Sequence, residues 1–138
     1  VGSPFVHVHR VLFDEIDAAG IVYFAHFFHW CHDAMAVMFD GLEGGYAGLV
    51  GPRRLGLPVV RAEADYASPV RFGDDVRVAV NVERTGRSSV VFRFDLTRAG
   101  DGTKLATIRH TTVLTDLAKM KSVAIPDDVM AVMDPHRG

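Results

Sequence analysis

The segment Asp14-Glu15-Ile16-Asp17-Ala18-Ala19-Gly20-Ile21-Val22-Tyr23-Phe24 holds three features that chemistry at an acyl carbon requires. Asp17 is a carboxylate at the edge of an otherwise apolar run, and such a group attacks a carbonyl carbon or takes a proton from an attacking water. Gly20 lets the backbone turn tightly and approach a ligand with no side chain in the way. The apolar helix expected to open near Tyr23 and Phe24 offers unpaired N–H groups and the positive end of a dipole, both of which stabilise an oxyanion. One such donor is typically worth roughly 3 kcal/mol in a transition state. The same residues carry a plainer reading, since an Asp ahead of a helix commonly serves as its N-cap. Residue type and spacing leave capping and catalysis both open.

Other reactive side chains make weaker patterns. His26, His29 and His32 recur at a spacing of three beside Cys31 and Asp33, which suggests a metal. On a helix the outer two diverge by roughly 120°, unlike the i, i+4 pair of a zinc-binding H-E-x-x-H helix, so no metal is expected. Cys31 lies in the body of the helix, far from the dipole that lowers a thiol pKa, and reads as core. Ser88 and Ser89 follow a turn without a G-x-S-x-G elbow. The glycine-rich stretch Gly41 to Gly56 has no phosphate-loop pattern and reads as a lid beside the pocket.

The elements that must position these groups follow from periodicity. Phe5 to Phe13 alternates as a first strand, and Tyr23 to about Asp40 is apolar on nearly every side, as in a helix surrounded by protein. Glycines past Asp40 end it. From Pro58 onward alternation takes over. Val60, Ala62, Ala64 and Tyr66 share one face of a strand, as do Val76, Val78, Val80 and Val82, then Val90, Phe92, Phe94 and Leu96, then Ala106, Ile108, His110 and Thr112. Thr85-Gly86 and Gly100-Asp101-Gly102 mark hairpin turns, so the four strands read as an antiparallel meander. A long apolar helix and an antiparallel sheet with one apolar face pack most economically when the sheet curls around the helix. The expected class is therefore α+β: a hotdog fold with a five- to six-stranded antiparallel sheet around one central helix. Its open edges call for a second copy across a two-fold axis.

The whole chain narrows the field further. At 138 residues, 1–138 reads as a single domain. A net charge of -2 with interspersed signs gives no basic stripe, so nucleic acid is not an expected partner. The longest apolar stretch is broken by histidines and an aspartate, so no membrane is expected either. One cysteine and no leader pattern point to a cytoplasmic protein.

Asp17-Ala18-Ala19-Gly20-Ile21-Val22-Tyr23-Phe24, followed by Phe27 and Trp30, resembles the opening of the central helix in the 4-hydroxybenzoyl-CoA thioesterase family. A looser likeness continues through Ser68-Pro69-Val70-Arg71-Phe72-Gly73-Asp74 to Ile125-Pro126-Asp127-Asp128. The resemblance implies hydrolysis of an acyl-CoA to free acid and CoA by Asp17 as nucleophile or general base, with Gly20 shaping the loop and the Phe24 amide holding the thioester oxygen. It implies an acyl pocket shaped by Tyr23, Phe27, Trp30 and His32, a homodimer assembling to a homotetramer, and no cofactor beyond the CoA of the substrate. CoA phosphates need cations, and Arg84, Arg87 and Ser88 at a hairpin are candidates, with Arg53 and Arg54 behind them; an ordinary solvated turn fits them equally well. Many family members have Pro where this chain has Ala18. The run Cys31-His32-Asp33 is similar to the dihydroxynaphthoyl-CoA branch, which gives a bicyclic aromatic acyl group equal weight with benzoyl types. The competing expectations are an acyl carrier protein thioesterase, a non-catalytic acyl-CoA-binding protein and a hotdog dehydratase, the last wanting a catalytic His among His7, His9 and His110 with no clear acid partner.

Overall fold

The computed structural model describes residues 2–138. Strands form where alternation places them: β1 (Phe5–Arg10), β3 (Val59–Tyr66), β4 (Asp75–Thr85), β5 (Ser89–Arg98) and β6 (Lys104–Val113). They make one antiparallel sheet in the order β1-β4-β5-β6-β3. The meander expectation needs a correction. β4, β5 and β6 are consecutive neighbours, but β3 pairs with β6 at the far edge rather than with β4. The tight turns at Gly86 and Gly102 hold β4, β5 and β6 side by side in chain order, whereas the longer connection 67–74 lets the chain cross the sheet end. β1 also stops short of Phe13, because Phe13–Glu15 tighten into a 3-10 turn.

The inner face of the sheet is the core. Val76, Val78, Val80, Val82, Phe92, Phe94, Leu96 and Ile108 are all essentially solvent-free, each burial stabilising by about 1.5–3 kcal/mol. They pack against α1 (His26–Met38), whose Ala and Met residues favour helix and which contains no Gly or Pro. A 3-10 turn at Phe39–Gly41 ends the helix, and the left-handed Gly44 (φ 79°) opens the next one. α1 begins later than Tyr23 and is not enclosed on all sides. Its buried residues, Phe27, Trp30, Cys31, Ala34, Met35 and Met38, recur at steps of three and one, a single stripe. Five strands cover one side of a helix, and His29 and His32 look outward from the other.

On the convex face the polar half of the alternation pairs across strands, with Arg109 Nε donating to Glu83 at 2.9 Å and Asn81 Nδ2 to Asp95 at 3.2 Å, while Arg93 Nε donates to Asp95 along β5 itself. The stretch Gly41 to Gly56, expected as a lid, is packed structure instead. It contains α2 (Gly45–Val50) with Leu49 fully buried, and the Leu57 amide donates to the Tyr46 hydroxyl. It leads into a small second sheet of β2 (Leu55–Gly56), β7 (Thr115–Asp116) and β8 (Lys121–Ser122). Then comes α3 (Asp127–Met133), which buries Val129 and Met133 and runs into a 3-10 turn at Asp134–His136.

β3 keeps its expected facing but not its expected burial. Ala62, Ala64 and Tyr66 pair with His110, Ile108 and Ala106 and so share the inner face, yet nearly the whole strand is exposed. α1 meets it at Tyr66, which packs on Phe27, and its outer edge pairs with nothing among the described residues.

Candidate active site

Residues 11–25 join β1 to α1 and are folded as a small clasp. Ile16 and Val22 form an isolated antiparallel bridge, and the Asp17 amide donates to the Ile21 carbonyl at 2.9 Å. The Gly20 amide donates back to the Asp17 carbonyl at 3.0 Å, and Gly20 takes φ 79°, which a side chain resists. The clasp is tied to the sheet by the Val22 amide on the Val70 carbonyl at 2.8 Å and the Val11 amide on the Asp74 carbonyl at 3.0 Å. These bonds give the Ser68 to Asp74 turn its part in the site.

This geometry removes the capping reading of Asp17. α1 starts at His26, its N-cap is Ala25, and no side chain caps it. Asp17 instead accepts the Ala19 amide on Oδ1 at 2.8 Å, closing its own turn and leaving Oδ2 without a donor among the described residues. The carboxylate is exposed in the single chain, as is Gly20, where a Cβ would meet nothing within 4 Å. Glycine is needed there for its backbone angle, not for crowding. The first helical bonds run from His26 to Tyr23 and from Phe27 to Phe24, so the Phe24 N–H lies ahead of the ladder and has no acceptor among the described residues. The loop therefore presents a carboxylate oxygen and a free backbone donor from the two limbs of one clasp, the pair that addition to an acyl carbon needs.

Beside the clasp is a cavity of about 290 Å³, lined by Ile21, Val22, Phe27, Tyr66, Ala67, Ser68, Pro69 and Val70. That is near the lower limit for small-molecule sites, about 300 Å³. Of the predicted acyl-pocket residues, Phe27 lines it. Tyr23 and Phe24 stand exposed at its approach, their rings 4.9 Å apart. Trp30 lies behind it with no exposed surface, stacked between Phe27 and His9 at 5.0 and 4.8 Å, so it supports the wall without reaching the space. His32 is two residues past Trp30 on the exposed side of α1, edge-on to Tyr46. A larger cavity of about 620 Å³ sits at the other end of α1, among Met38, Leu42 and Val132. None of the acyl-carbon chemistry is near it.

The predicted phosphate partners are not with the clasp in one chain. Arg84, Arg87 and Ser88 occupy the β4–β5 hairpin, whereas the clasp meets the sheet near Asp75; the eleven residues of β4 separate the two ends by roughly 33 Å. Arg53 is paired with Asp128 at 2.7 Å, and Arg54 sits beside the small sheet. The helix histidines also part company: His29 approaches Asp33 at 3.3 Å, His26 meets the Tyr23 ring, and His32 meets Tyr46. No group of three His, Cys, Asp or Glu side chains among the described residues is arranged to hold a metal. Cys31 is buried, and burial pushes its thiol well up.

Two residues of the site escape sequence reasoning. Tyr66 donates its hydroxyl to the Phe24 carbonyl at 3.1 Å and packs edge-on to Phe27 at 5.1 Å, tying β3 to the start of α1. Its place at the inner-face end of a strand was the available signal. Glu15 is buried and accepts from the Trp30 indole at 2.6 Å, the Leu12 amide at 2.7 Å and His9 Nε2 at 2.8 Å. Burial alone would raise its carboxyl, but the Leu12, His9 and Trp30 donors outweigh it and hold Glu15 below the usual carboxylate range. Nothing in an acidic turn marks which carboxylate will be buried.

Comparison with known proteins gives the family of the chain. The family model described as Thioesterase-like superfamily matches residues 11–133. A 1,4-dihydroxy-2-naphthoyl-CoA hydrolase of Prochlorococcus marinus (strain NATL2A) is 32% identical over 114 residues, covering 75% of this chain and 71% of the relative. A hydrolase of the same name from Synechococcus sp. (strain CC9605) is 30% identical over 133 residues, covering 92% and 88%. The crystal structure of a thioesterase superfamily protein from Jannaschia sp. CCS1 superposes with a TM-score of 0.88 at 30% identity, covering 99% of this chain and 94% of that one. With a sheet curled on one helix, a carboxylate and a free amide on one clasp, and a family match that spans both, this chain belongs to the thioesterase-like superfamily of hotdog-fold thioester hydrolases.

Proposed function

We propose that the chain hydrolyses an aromatic acyl-CoA to the free acid and CoA, with Asp17 as nucleophile or general base and the Phe24 amide as oxyanion donor. The observation that carries this is the clasp itself, which bears the Asp17 carboxylate and the unpaired Phe24 N–H and whose Ile21 and Val22 line a cavity shared with Phe27 and Tyr66. Aromatic acyl groups suit walls built from Phe27 and Tyr66, and the naphthoyl-CoA hydrolase relatives favour a bicyclic one.

The working unit is a homodimer, itself paired into a tetramer. The open inner face and free edge of β3 border the cavity through Tyr66, so a second copy joined there would enclose Asp17 and deepen the pocket. Such a pairing also gives Arg84, Arg87 and Ser88 a role, as phosphate partners for substrate held at the other copy's clasp. No metal or cofactor enters the reaction.

Free-thiol release across benzoyl-, 4-hydroxybenzoyl-, dihydroxynaphthoyl-, phenylacetyl- and aliphatic CoAs tests the reading. Preferential turnover of an aromatic class supports it. Faster turnover of the same acyl group on acyl carrier protein would move the carrier-protein alternative forward. Binding without turnover of any thioester would leave a binding protein.

A further inference from the structure

The two groups assigned to the reaction come from opposite limbs of the clasp, so something must fix their separation. Asp17 is two residues past Glu15, and Phe24 is one residue past Tyr23. The Tyr23 amide donates to the Glu15 main-chain carbonyl at 3.0 Å, joining the limbs at this residue. The Glu15 side chain then anchors the junction in three directions: to β1 through His9 Nε2, to the entry of the 3-10 turn through the Leu12 amide, and to the interior of α1 through the Trp30 indole. Trp30 is itself held between His9 and Phe27, and Phe27 lines the cavity. Among the buried polar groups, Thr112 and Thr115 bond to carbonyls of the sheet around them, whereas Glu15 ties the clasp to both the sheet and the helix.

We infer that Glu15 is a positioning residue for the hydrolysis, holding the Asp17 carboxylate and the Phe24 amide at their working separation through its bonds to His9, Leu12 and Trp30. This rests on the reading of Asp17 above. A carboxylate suits the place because it is an acceptor at both oxygens and meets only donors. Glutamine keeps the shape but turns an NH2 group toward at least one of those donors. A displacement of about 1 Å in a reacting group is enough for a loss near 100-fold.

The test is steady-state kinetics of Glu15→Gln, Trp30→Phe, Asp17→Asn and the double variant Asp17→Asn/Glu15→Gln, each confirmed folded by circular dichroism. Trp30→Phe removes the indole donor with its five-membered ring and keeps an aromatic ring between His9 and Phe27, so it remains informative should Glu15→Gln fail to fold. The expected result is a fall in kcat of about 10- to 100-fold for Glu15→Gln and about 3- to 10-fold for Trp30→Phe, with KM within about threefold of wild type. In the Asp17→Asn background Glu15→Gln should cost clearly less than it does alone, because the carboxylate it would misplace is already gone and only the placement of the Phe24 amide remains to be lost. A role confined to stability would lower the melting temperature and leave kcat per folded molecule unchanged in both single variants. That result, or an equal multiplicative loss in the double variant, overturns the inference. Should Asp17→Asn itself keep wild-type turnover, the reading of Asp17 fails first, a failure separable from that of Glu15.

Discussion

Substituting Gly20→Ala separates the backbone geometry of the clasp from the space above it. Gly20 sits at φ 79°, and an added Cβ meets no atom within 4 Å. The stability cost is thus conformational only, about 1–2 kcal/mol for a left-handed non-glycine residue, partly offset by about 0.4–1 kcal/mol from a stiffer unfolded chain. A net loss near 1 kcal/mol lowers Tm by about 4 °C. Even a domain left with about 4 kcal/mol of stability is only about 0.1% unfolded, so this loss cannot itself reduce activity. If the substrate's thioester approaches over Gly20, the new methyl group intrudes on it, and kcat/KM should fall at least about tenfold. Gly102→Ala is the matched control, since Gly102 has φ 75°, also with no atom within 4 Å of a Cβ, in the β5–β6 turn. Thermal melts and thiol-release kinetics on both variants should give matching Tm shifts and an activity loss in Gly20→Ala alone. Matching Tm shifts with kcat/KM within twofold of wild type in both variants would refute the claim that substrate passes over Gly20.

Three further outcomes are expected. Burial, with a smaller contribution from His32, lowers the His110 pKa from 6.5 to about 4, so the unfolded state binds a proton that the folded state refuses. Stability should therefore be full above pH 6.5 and decline toward pH 4, by at most about 3 kcal/mol, and His110→Leu should flatten that part of a denaturation-versus-pH curve. Tyr66→Phe removes the bond to the Phe24 carbonyl, worth about 1 kcal/mol, and should lower kcat/KM by about two- to fivefold with the fold intact by circular dichroism. Arg84→Ala/Arg87→Ala and Asp17→Asn chains, each inactive alone on dilute acyl-CoA, should recover roughly a quarter of wild-type activity when unfolded and refolded together, since each mixed dimer then holds one intact shared site. No recovery would place the phosphate contacts elsewhere.

The fold was legible because its signal is local. Alternating valines and phenylalanines from Val76 to Leu96 record a sheet with one buried face, and the run from Phe27 to Met38 records the helix against it. The partner of β3 was not legible, because hydrophobic alternation states which face is buried and says nothing of which edge is joined. The breadth of the apolar run in α1 misled in a similar way, suggesting full enclosure when only the Phe27-Trp30-Ala34-Met38 stripe is covered in one chain. In the candidate site, Asp17, Gly20 and Phe24 read as one group in the sequence because a loop between a strand and a helix keeps its members adjacent. Glu15 and Tyr66 were missed because their roles depend on Trp30, His9 and Phe24, partners brought near by tertiary packing. The hairpin arginines read as plausible phosphate ligands in sequence, and only the length of β4 shows that one chain cannot bring them to its own Asp17.

The central claim is that the Asp17 carboxylate performs the hydrolysis, and single-turnover thiol release by Asp17→Asn beside wild type, on the most active aromatic acyl-CoA, tests it directly. Asparagine preserves the Oδ1 acceptor that closes the turn on the Ala19 amide, so the clasp should stay formed. The account predicts a rate at least about 1000-fold lower with substrate affinity within a few-fold of wild type. Turnover within tenfold of wild type by the folded variant would contradict it and send the search for the catalytic group elsewhere along the cavity.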